Sequence, residues 1–187
     1  MIVLAVGAET NAYMIQGLDI VVDYWAGGGS NETIVVIDWN LTNGPYLTES
    51  HAWGYRWSGE KYLSDAISEI CAAGDLIVAT SSYYGDVFVN DAYYYDPSID
   101  NDNHTSSGYS GWWWLGDTVD GGVTWTGNNG GTATEILGNG KIEGLNSVRN
   151  FDEWLTGGTT LTIPVPEPCV LAVLGLGGLF LRRRKDA

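Results

Sequence analysis

The C-terminal stretch sets the tightest limits on how this chain can fold. Ile163-Pro164-Val165-Pro166-Glu167-Pro168 is followed by thirteen uncharged, mostly apolar residues, Cys169 to Leu181, and then by Arg182, Arg183, Arg184 and Lys185. The prolines interrupt helix and sheet alike. A helix on the surface of a globular domain needs a polar face, and the run 169–181 has none. As a helix it reaches about 20 Å at roughly 1.5 Å per residue. That is short for a bilayer core of about 30 Å. Local thinning and snorkelling of the flanking arginines close the gap. Gly175, Gly177 and Gly178 suit a helix in lipid better than one in water. A C-terminal transmembrane helix over 169–181 is therefore expected. Its basic end should face the cytoplasm, with the rest of the chain across the inner membrane.

Pro166-Glu167-Pro168, the apolar run and the basic cluster, in that order at the C-terminus, resemble the PEP-CTERM sorting signal. The resemblance covers about Val165 to Lys185. It implies recognition and processing by an exosortase, a membrane-embedded cysteine peptidase-like enzyme. It also implies export through an envelope of Gram-negative type, anchoring in the inner membrane before processing, and presentation at the cell surface or outside the cell, often alongside exopolysaccharide. Met1 to Ala8 resembles the end of a signal-peptide apolar region with a cut after Ala8, but it lacks a basic start. Residues 1–12 are read as a truncated signal-peptide remnant, 13–163 as one extracytoplasmic β-rich domain and 164–187 as the sorting tail.

Charge narrows the partners. Ahead of Pro164, four cations (Arg56, Lys61, Lys141, Arg149) stand against twenty-one acids, a net of −17, whereas the whole chain carries −15. Such a domain repels phosphate backbones and anionic headgroups, so no nucleic-acid role is expected. Nine tryptophans and eleven tyrosines argue for a packed core rather than disorder. Cys71 and Cys169 are too far apart in role to pair, and no disulfide is expected.

Leu18 to Trp25 and Thr33 to Trp39 read as two strands of a hairpin around the glycine-rich Ala26–Glu32, the second apolar enough for the middle of a sheet. Ala52 to Trp57 reads as a third strand. Leu63, Ala66, Ile67, Ile70 and Cys71 form one helical stripe, with Ser58 as the expected N-cap and Gly74 as a left-handed stop. Strands are expected at Leu76–Thr80, Asp86–Asn90, Gly111–Leu115, Val123–Thr126 and Thr132–Leu137. Asp91 to Ser110 reads as a long loop, Asn128–Gly131 as a turn and Phe151–Leu155 as a short helical turn. The expected fold is α+β, mainly β: a mostly antiparallel sheet with one packed amphipathic helix.

Three sets of residues bear on chemistry. Trp53, Tyr55 and Trp57 alternate and share one strand face, and Trp112, Trp113 and Trp114 put rings on both faces of theirs. Exposed, such rings stack on sugars; buried, they form a core. Arg56 points away from the first set and is expected to pair with a carboxylate such as Asp38 or to stack on a ring. Asp96, Asp100 and Asp102, with His104 nearby, resemble a calcium loop. Counted from Asp100, however, the sixth and twelfth positions are Thr105 and Gly111, not the Gly and Glu of an EF-hand. A solvated Asx-rich loop is the reading these residues favour, with an irregular calcium site as the alternative and no other cofactor expected. Nucleophile and zinc-protease motifs are missing from the sequence, and Cys71, on the apolar face of its helix, should be inert. The expected role is structural or adhesive and non-enzymatic. A carbohydrate or small-ligand binding module is the alternative, and a secreted hydrolase the third.

Overall fold

The computed structural model describes residues 12–40, 50–96, 101–104, 112–128, 130–148, 151–157 and 161–165, with only the backbone at 96, 101–104 and 112. The signal-peptide remnant expected at the N-terminus falls almost wholly outside these residues. So do Pro166-Glu167-Pro168, the apolar run, Arg182 to Lys185, and Asp100. No helix among the described residues is long and apolar enough to cross a membrane.

Among these residues the protein is mainly β, as expected. At its centre β4 (Asn31–Asp38) runs between β5 (Ser50–Trp57) and β11 (Ile142–Val148). Ile34 to Ile37 have no exposure at all, consistent with a strand covered on both faces. The six-stranded sheet has the order β10 (Thr126–Gly127), β9 (Trp112–Thr118), β11, β4, β5, β3 (Trp25–Gly27). It is mixed: β11 is parallel to β4 and β3 is parallel to β5, while its other three pairings are antiparallel. One face packs against α1 (Leu63–Ala73) and a three-stranded sheet of β6 (Ile77–Tyr83), β7 (Asp86–Asp96) and β8 (Asn101–His104). The other packs against the hairpin β1 (Ala12–Ile15) and β2 (Leu18–Val21), with Trp125, Trp154 from α2 (Phe151–Trp154), Leu161 and Ile163.

The expected hairpin between residues 18–25 and 33–39 does not form. Residues 18–21 turn back on β1 through Gln16 and Gly17, both at positive φ (51° and 81°), the two-residue turn that matches strand twist. The glycine-rich loop instead presses on β5: a Cβ on Gly27 or Gly29 would collide with the backbone at Arg56 or Trp57.

The helix starts at Leu63, not near Ser58. Residues 61 and 62 first pair with 136 and 137, and the N–H groups of Leu63 and Ser64 are taken by the carbonyls of Glu135 and Thr132. The Asp65 carboxylate accepts the Tyr62 N–H at 2.9 Å and closes the first turn. Thr132–Leu137 thus serves as a cap for α1 rather than as a strand. Gly74 ends the helix in extended backbone (φ −158°), not the left-handed conformation. Glycine is required there because the Tyr24 ring occupies the space of a Cβ.

Asp91–Ser110 was expected as a loop, yet β7 continues to Asp96 and β8 pairs with it. Ala92 and Tyr94 point into the core while Tyr93 and Tyr95 alternate with them, which is strand periodicity. Neither β1 nor β11 has a sequence expectation. All seven residues of β11, Ile-Glu-Gly-Leu-Asn-Ser-Val, are buried.

Candidate functional site

Trp53, Tyr55, Trp57, Trp113 and Trp114 are core, and the Trp112 side chain lies outside the described residues. On β5, Trp53, Tyr55 and Trp57 face α1, with at most 3% exposure. Tyr55 and Trp57 stack at 5.7 Å, and Trp53 meets Tyr94 edge-on at 5.2 Å. Trp113 is buried on the same side of the sheet and Trp114 on the opposite side. Trp112 opens β9 opposite Val148. No sugar reaches Trp53, Tyr55 or Trp57, because α1 covers them. Arg56 stacks on the Trp25 ring at 4.1 Å and lies 3.5 Å from Glu32, so its carboxylate partner is Glu32 and not Asp38.

Asp96 and Asp102 lie at the paired ends of β7 and β8, where Tyr95 faces Asp102 and Asp96 faces Asn101. His104 sits opposite Tyr93 on the same ladder. These residues belong to a strand pair rather than a loop, and no metal-holding group of acids, histidines or cysteines occurs among the described residues.

His51 stands on β5. Its ring is enclosed by Trp39, Trp53 and Tyr94, and its Nδ1 lies 3.1 Å from Asp23 Oδ2. Cys71 is half-buried and free, beside a groove of about 240 Å³ between α1 and the β6–β7 pair. Burial pushes its thiol pKa up, which agrees with an inert cysteine.

The exposed aromatics lie elsewhere. Tyr83 and Tyr84 stand at the tip of the β6–β7 hairpin, 63% and 91% exposed, with their rings edge-on at 4.3 Å. Tyr84 and Gly85 make the turn there, both at positive φ (50° and 79°). A groove of about 390 Å³ opens between residues 122–127 and residues 155–156 just past α2. Trp114 and Trp125 form one wall, edge-on at 6.0 Å. Val123, Leu155 and Leu161 add apolar surface, and Thr124 and Thr156 add hydroxyls. The wall is held by Asp120, whose carboxylate accepts from Thr118 Oγ1 and from the Thr124 N–H and hydroxyl. These bonds hold its pKa down to about 2.

One acidic centre was invisible in the sequence. Glu143 on β11 has no exposure, and neither carboxyl oxygen has a hydrogen-bond partner among the described residues. Burial, then Glu135 and Asp117, raises its pKa to about 8 against the pull of Lys141. Lys141 pairs with Asp117 at 2.9 Å. Glu143 is thus a neutral carboxylic acid at pH 7, sealed from solvent rather than lining either groove.

The chain matches no model of a known protein family and no curated protein sequence.

Proposed function

We propose that the chain is an exported protein sorted by an exosortase through Pro166-Glu167-Pro168, the apolar run 169–181 and Arg182 to Lys185. It is held in the inner membrane before processing and presented afterwards at the cell surface or in an exopolysaccharide matrix. Its role there is structural or adhesive and non-enzymatic. The order of proline motif, apolar run and cations carries this reading. It is supported by how the chain approaches the motif. Leu161 is buried, the Thr162 N–H donates to Asp38, and the Pro164 carbonyl accepts from the Val21 N–H at 3.0 Å. The body is tied down up to two residues before Pro166, and Val165 is exposed. The test is mass spectrometry of the C-terminal peptide from envelope and secreted fractions of the native host. A terminus near Pro168 is expected. An intact end at Ala187 in the inner membrane overturns sorting.

A second reading, a surface carbohydrate or small-ligand binder, is favoured by the groove at Trp125, whose wall includes Trp114 alone of the aromatic residues expected from the sequence. Half-buried Trp125 offers a ring face beside threonine hydroxyls, a pairing that suits a sugar. Titration of the chain with soluble oligosaccharides, followed by tryptophan fluorescence, tests it. Binding lost in Trp125→Ala supports the reading, and no binding to any of them removes it.

A further inference from the structure

β6 pairs with β7 on one side, and no described strand pairs with its other side. Edge strands are ordinarily blunted by charge, proline, shortness or a bulge. β6 has none of these protections. Its seven residues, Ile77-Val-Ala-Thr-Ser-Ser-Tyr83, carry no charge and no proline. The one irregularity of the ribbon lies between Ala79 and Thr80, which face Asp91 and Val89, so the extra residue is Asn90 on β7 and β6 itself runs regularly. Val78 turns inward against the core, and Thr80 lines the groove beside α1. Ile77, Ala79, Ser81 and Tyr83 alternate with them on the outer face, with Ile77 60% and Tyr83 63% exposed.

We propose that β6 is a docking edge for a second copy of this chain, with two β6 strands pairing antiparallel about a two-fold axis at Thr80. The sequence is self-complementary in that register. Ile77 of each copy lies opposite Tyr83 of the other, Val78 opposite Ser82, and Ala79 opposite Ser81. The two large apolar side chains left in water at the ends of β6 thereby cover one another as cross-strand pairs. The Tyr83–Tyr84 ring pair closes each end. Charge selects the partner's approach: ahead of Pro164 the chain carries −17, so most faces of two copies repel, whereas β6 brings no like charges into register. The contact is isologous and closes at two copies, since pairing uses up the free edge of each. The union is strand addition, in which backbone groups supply the bonds and side chains the register. It does not depend on how the chain is delivered.

The test is sedimentation of the full chain in detergent across a range of concentrations. Wild type should sediment with twice the protein mass of one chain. Ala79→Lys sets a lysine against each side of the axis and should weaken association at least tenfold. Thr126→Lys, the same change on exposed edge strand β10, should leave it unaltered. In a chain with Cys71→Ser and Cys169→Ser, Thr80→Cys should give a disulfide-linked pair on oxidation, because directly opposed residues lie about 4.5–5.5 Å apart between Cα atoms. The cross-link decides independently of the lysine variant's folding. A wild-type monomer at all concentrations overturns the proposal. So does a dimer insensitive to Ala79→Lys, which would place the contact in the tail, or a Thr80→Cys chain that fails to cross-link.

Discussion

Asp38, the last residue of β4, accepts the backbone N–H of Thr162 on Oδ2 at 2.7 Å, while its Oδ1 accepts that of Asn40 at 2.8 Å. One nearly buried carboxylate thus fixes both the exit from the central strand and the path of the chain towards its proline motif. Asp38→Ala leaves two N–H groups without this acceptor, at about 1–3 kcal/mol for each that stays buried. Asp38→Asn keeps one acceptor and turns an NH₂ towards the other N–H, so it should fall between. Urea unfolding reads the stability. Limited proteolysis should cut Asp38→Ala near residues 161–165 at protease levels that spare wild type. Equal resistance in the two chains would detach Asp38 from this role.

Glu143 gives the domain an unusual pH dependence. Its pKa in the fold is about 8, against an ordinary 4.5. The folded state therefore binds more protons than the unfolded chain between these values, and stability falls as pH rises through that window. The slope approaches about 1.4 kcal/mol per pH unit for one such group. Asp38, raised to about 6 chiefly by burial, acts in the same direction but is largely ionised by pH 7. Asp120, lowered to about 2, and Asp86, also lowered, lose their contribution only in acid. Wild type should thus melt at lower temperature at pH 8 than at pH 7. Glu143→Gln should flatten that interval and be the more stable protein at pH 8. A wild-type melting temperature that stays level or rises from pH 7 to 8 would refute the assignment.

The aromatic residues separate core from surface by a wide margin. Trp53→Ala empties a site bounded by Tyr24, Trp39, His51 and Tyr94 and should cost about 3–5 kcal/mol. Tyr84→Ala removes a ring that is 91% exposed and should stay within about 0.5 kcal/mol of wild type. Chemical denaturation of the two variants checks both. A mild effect at Trp53 would mean that β5 is not the wall beneath α1.

The elements legible from sequence were those whose local pattern and burial agree. Thr33–Trp39 is apolar throughout and lies in the sheet centre; Leu63 to Cys71 shows a clean helical stripe. β11 failed because its Glu, Gly and Asn read as surface or turn residues. Gly144 makes room for Leu161 and Trp125, Asn146 donates to the Gly157 carbonyl, and Glu143 is buried with neither carboxyl oxygen hydrogen-bonded among the described residues. The aromatic sets were found but their exposure was not, because alternation gives the shared face and not what covers it. β7 beyond Asn90 was hidden by Asp91 and Asp96, which flank the inward Ala92 and Tyr94. The groove at Trp125 joins residues 114, 125, 155 and 161, a neighbourhood no local window contains.

Gln16 joins the β1–β2 turn to that groove. Its Nε2 donates to the Thr118 carbonyl at 2.7 Å and the Gly140 carbonyl at 2.9 Å, and its Oε1 accepts the Gly121 N–H at 2.7 Å. It does so from a left-handed backbone, φ 51°. Gln16→Ala removes three hydrogen bonds, at about 1 kcal/mol each, and leaves a Cβ in a conformation costing roughly 1–2 kcal/mol. Gln16→Gly removes the same bonds without that strain, so it should be the less destabilised of the two in urea. Both free the 118–124 segment whose Gly122, Val123 and Thr124 line the groove. Hydrogen exchange at Gly121 and Thr124 should therefore quicken equally in the two variants. Exchange that tracks overall stability instead of the lost amide would show that Gln16 holds the turn but not the groove wall.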